Sequence, residues 1–206
     1  MRNLIAIGLI ILGNTTIWAA DSDLFPLQGL KLDMTSADLL KAYPNVKMAY
    51  AKKDAAGQLT DGLVLCEITN GVYWDGALIQ IRGSKVQSWG YARTKDFDRA
   101  AKNVGAIYKA LEQALGNTPE MKVVFHLVKQ GELRSPMFIW KRSDTIAVFT
   151  HSPVKDYKAG EPFICQLTIV PNAESLHSLF DVATDKNDSD VDLFQEVISG
   201  DAKPDM

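Results

Sequence analysis

Few side chains in this sequence are of the kinds that do chemistry, and their spacing decides what they can do. Histidine occurs three times, at His126, His151 and His177. His126 and His151 fall within or at the end of strand-like runs. With Asp144 or Asp156 they offer the ingredients of a metal or acid/base site, because imidazole and carboxylate both ligate divalent ions and exchange protons near neutrality. The spacing argues otherwise: no HxH, HExxH or CxxC occurs. Histidines that merely pack or face solvent fit the same pattern. Ser152-Pro153-Val154-Lys155 matches S-x-x-K, but acyl-enzyme chemistry needs that serine and lysine on one helical turn. Here Pro153 follows a strand, and neither S-D-N nor K-T-G is present. There is no glycine-rich phosphate loop and no G-x-S-x-G. No catalytic residue, metal or cofactor is therefore expected.

The two cysteines, Cys66 and Cys165, lie in apolar strand-like runs. In an oxidising compartment they are expected to form a disulfide, which in the chain-entropy model contributes roughly 4.7 kcal/mol for a loop of about 100 residues. Two buried free thiols too far apart to bridge are the alternative. A richer constellation is aromatic and basic. Tyr73, Trp74, Trp89 and Tyr91 lie close in sequence to Arg82 and Arg93. Trp89, Tyr91 and Arg93 alternate along one strand and so share a face. Aromatics with arginine are what interface centres favour, which makes Trp74, Arg82, Trp89, Tyr91 and Arg93 candidates for binding a partner. Packing of Trp89 and Tyr91 beneath a helix is the competing reading.

The chain's address is written at its start. Arg2 is the only charge before Asp21, Leu4–Leu12 is an unbroken apolar run, and small Ala19 and Ala20 follow a polar stretch. That is the plan of a secretory signal peptide over residues 1–20, with cleavage after Ala20. The run is too short for a transmembrane helix, which needs about 20 residues, and no second run is longer. The product is expected to be soluble and periplasmic or secreted. The 206 residues carry a formal net charge of −3. The charge is uneven: Asp181–Met206 holds eight acidic residues and two lysines, against 19 basic and 17 acidic residues in Asp21–Phe180. The near-neutral body excludes an electrostatic nucleic-acid binder. The tail, residues 172–206, reads as an acidic, partly flexible segment. Within it Asn172–Val182 has a helical pattern, Ala183–Ser189 is polar, and Asp190–Ser199 carries Val191, Phe194 and Ile198 on one side of a possible helix. That last piece is compatible with docking and with disorder alike.

The elements that must position any site centre on Asp96–Leu115. Its apolar residues recur at i, i+3 and i+4, Asp96 or Thr94 can cap its start, and Gly116 and Pro119 end it. Before it, Thr35-Ser36-Ala37-Asp38 has the capping pattern of a short helix stopped by Pro44. Strands are expected at Asn45–Ala51, Leu63–Ile68, Ala77–Arg82 and Lys85–Arg93, with turns at Asn70-Gly71 and Gly83-Ser84. After it come Met121–Lys129, Pro136–Lys141, Thr145–His151 and Phe163–Val170. Residues 21–93 and 94–171 thus form two similar halves. Gly57–Leu65 lies over Gly131–Ile139, which suggests an internal duplication.

One stretch carries a family resemblance. Gly29-Leu30-Lys31-Leu32-Asp33-Met34-Thr35-Ser36-Ala37-Asp38-Leu39-Leu40 resembles the glycine-hydrophobic, glycine-Met-Thr opening of small exported bacterial proteins of the SmpA/OmlA-like and beta-lactamase-inhibitor-protein-like group. Asp33 stands where that group has glycine. The resemblance implies a non-enzymatic module whose sheet face meets a protein. The expected fold is α+β: tandem helix-plus-antiparallel-meander units, helices packed on one face of an antiparallel sheet. The expected function is an exported binding or interaction protein with a protein partner, such as an inhibitor, immunity or envelope-accessory type. The alternative is an envelope hydrolase or metal-dependent enzyme using His126 or His151.

Overall fold

The computed structural model describes residues 23–93, 97–116, 118–128, 131–153, 163–173, 183–185 and 194–195. The leader, most of the tail, His177, Lys155 and Asp156 lie outside them. Within them the chain forms helix α1 (Ser36–Ala42), strands β1 (Lys47–Lys53), β2 (Leu59–Glu67), β3 (Gly76–Arg82) and β4 (Lys85–Arg93), helix α2 (Phe97–Leu115), and strands β5 (Glu120–Val128), β6 (Gly131–Lys141), β7 (Thr145–Pro153), β8 (Phe163–Pro171) and β9 (Ala183–Asp185).

Local chemistry accounts for the boundaries. The Thr35 hydroxyl accepts from the Asp38 N–H at 3.1 Å and caps α1. Gly83 and Ser84, both with φ near +60°, make the tight β3–β4 turn. Helix α2 ends at Gly116, φ +75°, whose N–H returns to the Glu112 carbonyl. Arg142, from the β6–β7 turn, then donates from Nη2 to the carbonyls of Leu115 at 3.0 Å and Ala114 at 3.3 Å. These are carbonyls that a helix end leaves without an internal partner.

The strands form one antiparallel sheet in the order β1-β2-β3-β4-β8-β7-β6-β5-β9. This overturns the expected α+β arrangement of tandem helix-plus-meander units: over the described residues the protein is mostly β, with α1 and α2 against a single continuous sheet. The reason lies at β4 and β8. Neither ends a meander with a free edge; each pairs with the other from Trp89↔Ile169 to Arg93↔Cys165. Gly90 permits the approach, since a Cβ there would meet the Leu167 carbonyl oxygen at 2.9 Å. Ala183–Asp185, the start of the stretch Ala183–Ser189 expected to be polar and flexible, pairs with β5 as β9.

The pairing register is palindromic about the β4–β8 seam. One row across the sheet reads Lys47, Leu65, Leu78, Gly90, then Thr168, Val148, Ile139, Glu120. Leu65 and Ile139 therefore occupy equivalent places in the two halves, as do Leu78 and Val148.

The main core lies between the sheet and the helices. Val104, Ile107, Tyr108, Leu111 and Leu115 of α2 are buried, and Tyr108 packs on Phe138 and Trp140 with ring centroids 4.8 and 6.1 Å away. Each such side chain contributes about 1.5–3 kcal/mol of gross stabilisation. In the first half the stretch Leu24–Leu30 fills the place of a longer helix. Leu24, Phe25 and Leu27 are buried, and the Trp74 indole donates to the Leu24 carbonyl at 2.9 Å.

Candidate functional site

The two faces of the sheet have opposite fates. Trp89, Tyr91 and Arg93 share one face of β4, and that face is turned to the core. Trp89 and Arg93 are each 5% exposed and Tyr91 is 1% exposed. Trp74 is fully buried and stacks on Tyr91 at 6.1 Å, with Phe25 edge-on to the same ring. Four of the five candidate binding residues thus pack the first-half core. Arg82 is exposed, at the end of β3 on the opposite face. The alternation on β4 was legible in the sequence. Which side of the sheet would be covered was not, because the covering stretch Leu24–Leu30 has no helical period to announce it.

Arg93 heads a cross-strand row on the core side: Arg93, Cys165 and His151 are direct neighbours on β4, β8 and β7. The guanidinium donates from Nη1 to the Val72 carbonyl at 2.9 Å and the Gly71 carbonyl at 3.4 Å, pinning the β2–β3 loop. Gly71 has to be glycine, since a Cβ would fall 2.0 Å from the Trp74 carbonyl oxygen. Burial pushes the Cys165 thiol up to about 12, with the Arg93 cation opposing the shift, and lowers the His151 imidazole to about 4. A fully buried thiol that stays protonated is inert as a nucleophile.

The expected disulfide does not form. Cys66 and Cys165 are both free. Cys66 is on β2 and Cys165 on β8, with β3 and β4 between them, so their backbones are at least about 14 Å apart at the usual strand spacing. A disulfide needs Cα atoms within about 7 Å. The histidines are likewise not gathered: His126 is on β5 and His151 on β7, with β6 between. Among the described residues no group of three potential metal ligands occurs, and no helix is long and apolar enough to cross a membrane.

The other face is where the described surface opens. Over the first half it floors a cleft of about 1020 Å³, closed at one end by the α1–β1 connection at Tyr43–Val46 and the loop residues Thr69 and Asp75. Leu63, Leu65 and Leu78 line the floor, with Leu65 42% and Leu78 41% exposed. The polar floor residues are uncharged and paired with one another. The Ser88 hydroxyl donates to Gln80 Oε1 at 3.1 Å, and Gln166 Nε2 donates to the Thr168 hydroxyl at 3.3 Å. Charged residues on this side stand at the margins, with Lys47 on the edge strand and Glu67 and Asp75 near the strand ends. Leu63, Leu65 and Leu78 had not been singled out from the sequence. Their signal was present, as apolar residues on both faces of β2 and β3, where a strand with one solvated face would show polar ones.

No family model, no curated protein and no solved structure matches this chain.

Proposed function

We propose that this is an exported, non-enzymatic binding protein that docks another protein on the open face of its first-half strands. The carrying observation is the cleft over β2, β3 and β4, where Leu65 and Leu78 stand exposed beside polar Gln80, Ser88, Gln166 and Thr168, with Lys47, Glu67 and Asp75 also in the lining. A single exposed leucine is ordinary; adjacent ones on the floor of a concavity mark an interaction site. The export part of the reading rests on the leader-like residues 1–20, and N-terminal sequencing of the secreted product tests it: a chain beginning near Asp21 supports it, and one beginning at Met1 overturns it. The protein-binding part follows from the resemblance in Gly29–Leu40 together with the open face. The hydrolase alternative has no observation in its favour, since β6 separates His126 from His151 and the His151 imidazole is lowered by burial.

The docking test is a pull-down from envelope extract with the immobilised wild type and Leu78→Asp side by side. A partner held at defined stoichiometry by the wild type and lost by the variant, with the variant's circular dichroism unchanged, is the expected outcome. Equal retention by both proteins would place binding elsewhere.

A further inference from the structure

The two edges of the sheet differ. At one edge the chain lays its own strand β9, three residues long, against β5, with Asp185 in register with Lys122. At the other edge stands β1, whose outer side pairs with no strand among the described residues. All seven of its residues are exposed, Tyr50 by 58% and Met48 by 41%. An edge strand presents a row of backbone N–H and C=O groups on which another chain can pair. At about 3.3 Å per residue the row is roughly 20 Å long.

The charges along β1 say what can pair with it. The strand carries Lys47, Lys52 and Lys53 and no acidic residue. None of the three lysines is in an ion pair among the described residues. The neighbouring carboxylates are engaged by backbone. Asp54 Oδ1 accepts from the N–H groups of Ala56 and Gln58 at 2.9 and 2.8 Å in the β1–β2 turn, and Asp61 Oδ1, on β2 opposite Lys52, accepts from the Gly83 N–H at 3.4 Å. Lysines on an edge guard against pairing with a second copy. An antiparallel pair of β1 strands centred on Tyr50 would set Lys47 against Lys53 at both ends, and like charges directly opposite are destabilising. The same three charges favour a strand that brings carboxylates, the combination of residue types that the far edge shows at Lys122 and Asp185. We infer that β1 receives an extended, acidic segment of a partner protein, added to the sheet as a further strand by backbone pairing and held in place by Lys47, Lys52 and Lys53. This contact is additional to docking on the cleft floor and does not depend on it.

Phage-displayed random peptides selected on the immobilised full chain, then synthesised, test this. The selected class is expected to combine Asp or Glu with β-branched or aromatic residues. Its affinity should fall about tenfold or more when Lys47, Lys52 and Lys53 are together changed to Glu, fall with added salt, and be unchanged by Lys109→Glu, the same charge reversal on exposed α2. The corresponding Lys→Gln changes serve as a milder set should the glutamates perturb folding. Two readouts leave the protein unaltered. Bound peptide should slow amide exchange across Lys47–Lys53, and N-methylation of one alternate set of peptide nitrogens should abolish binding while the other set is tolerated. Peptides without acidic enrichment, or binding that leaves β1 exchange unchanged, would overturn the inference. Peptides indifferent to the lysines but lost with Leu78→Asp would overturn it while supporting docking in the cleft. Self-association of the wild type that the lysine changes abolish would assign the edge to a second copy and overturn it as well.

Discussion

Arg93 and Arg82 lie on neighbouring strands and were equal candidates by sequence, but a change at each should read differently. Arg93→Ala removes a buried guanidinium and the hydrogen bonds that pin Gly71 and Val72. Urea denaturation is expected to show a loss of roughly 2–3 kcal/mol. Arg82→Ala, at an exposed strand end, should stay within about 0.5 kcal/mol. His151 gives a pH signature. Its folded value of about 4 lies below the unfolded value of 6.5, so the folded state binds the proton less well. Its contribution is fully present above pH 6.5 and is lost as pH falls from 6.5 towards 4, at up to about 1.4 kcal/mol per pH unit. His151→Asn should flatten the acid limb of stability in that window. Glu120 titrates lower: the neighbouring Lys141 holds its carboxyl below the usual value, so its effect falls at the acid end of that window and below it. The cysteines make a third test at this scale. Denatured, unreduced protein should present two thiols to a thiol reagent. In the native protein Cys66, whose thiol is raised by partial burial, should react slowly, and Cys165 only on unfolding.

At the scale of elements, α2 is held from outside itself. Its last carbonyls are bonded by Arg142 of the β6–β7 turn, and the Arg142 carbonyl in turn accepts from the Asn172 side chain. Arg142→Ala is expected to cost about 1–2 kcal/mol and to raise amide exchange in the last turn of α2 more than elsewhere, measurable by hydrogen exchange. Most of the elements were legible from residue types. The Thr35 cap, the Gly83-Ser84 turn and the periodicity ending at Gly116 locate α1, the β3–β4 hairpin and the end of α2 within a residue or two, because each depends on neighbours in sequence. The order β4-β8 was not legible, and neither was the core role of Trp74, whereas core packing was one of the two readings the sequence left open for Trp89 and Tyr91. Both depend on which distant segment arrives: β8 at the edge of β4, and Leu24–Leu30 over the indoles. The cysteine pairing failed for the same reason, since apolar surroundings say nothing of how many strands stand between two positions.

On the scale of the whole molecule, everything turns on the seam where β4 meets β8. At Gly90 an added Cβ would stand 2.9 Å from the Leu167 carbonyl oxygen across it. Gly90→Val should cost at least about 2 kcal/mol by forcing the strands apart, seen as a lower thermal midpoint, whereas Ala92→Val, on the same strand where a Cβ is already accommodated, should cost less. The seam has a further consequence in time. Residues Gly76–Arg93 and their hairpin partners can assemble early from local contacts, but β4 finds its second neighbour only when Phe163–Pro171 is available. Until then the half-built sheet carries a bare inner edge beside Trp89 and Tyr91, the kind of edge on which chains aggregate. Closing it joins the paired strands most distant along the chain, so it is expected to be the slow event in folding, which stopped-flow refolding of Gly90→Val against wild type would check. A chain kept unfolded until its last strand is made would never show that edge to another copy of itself.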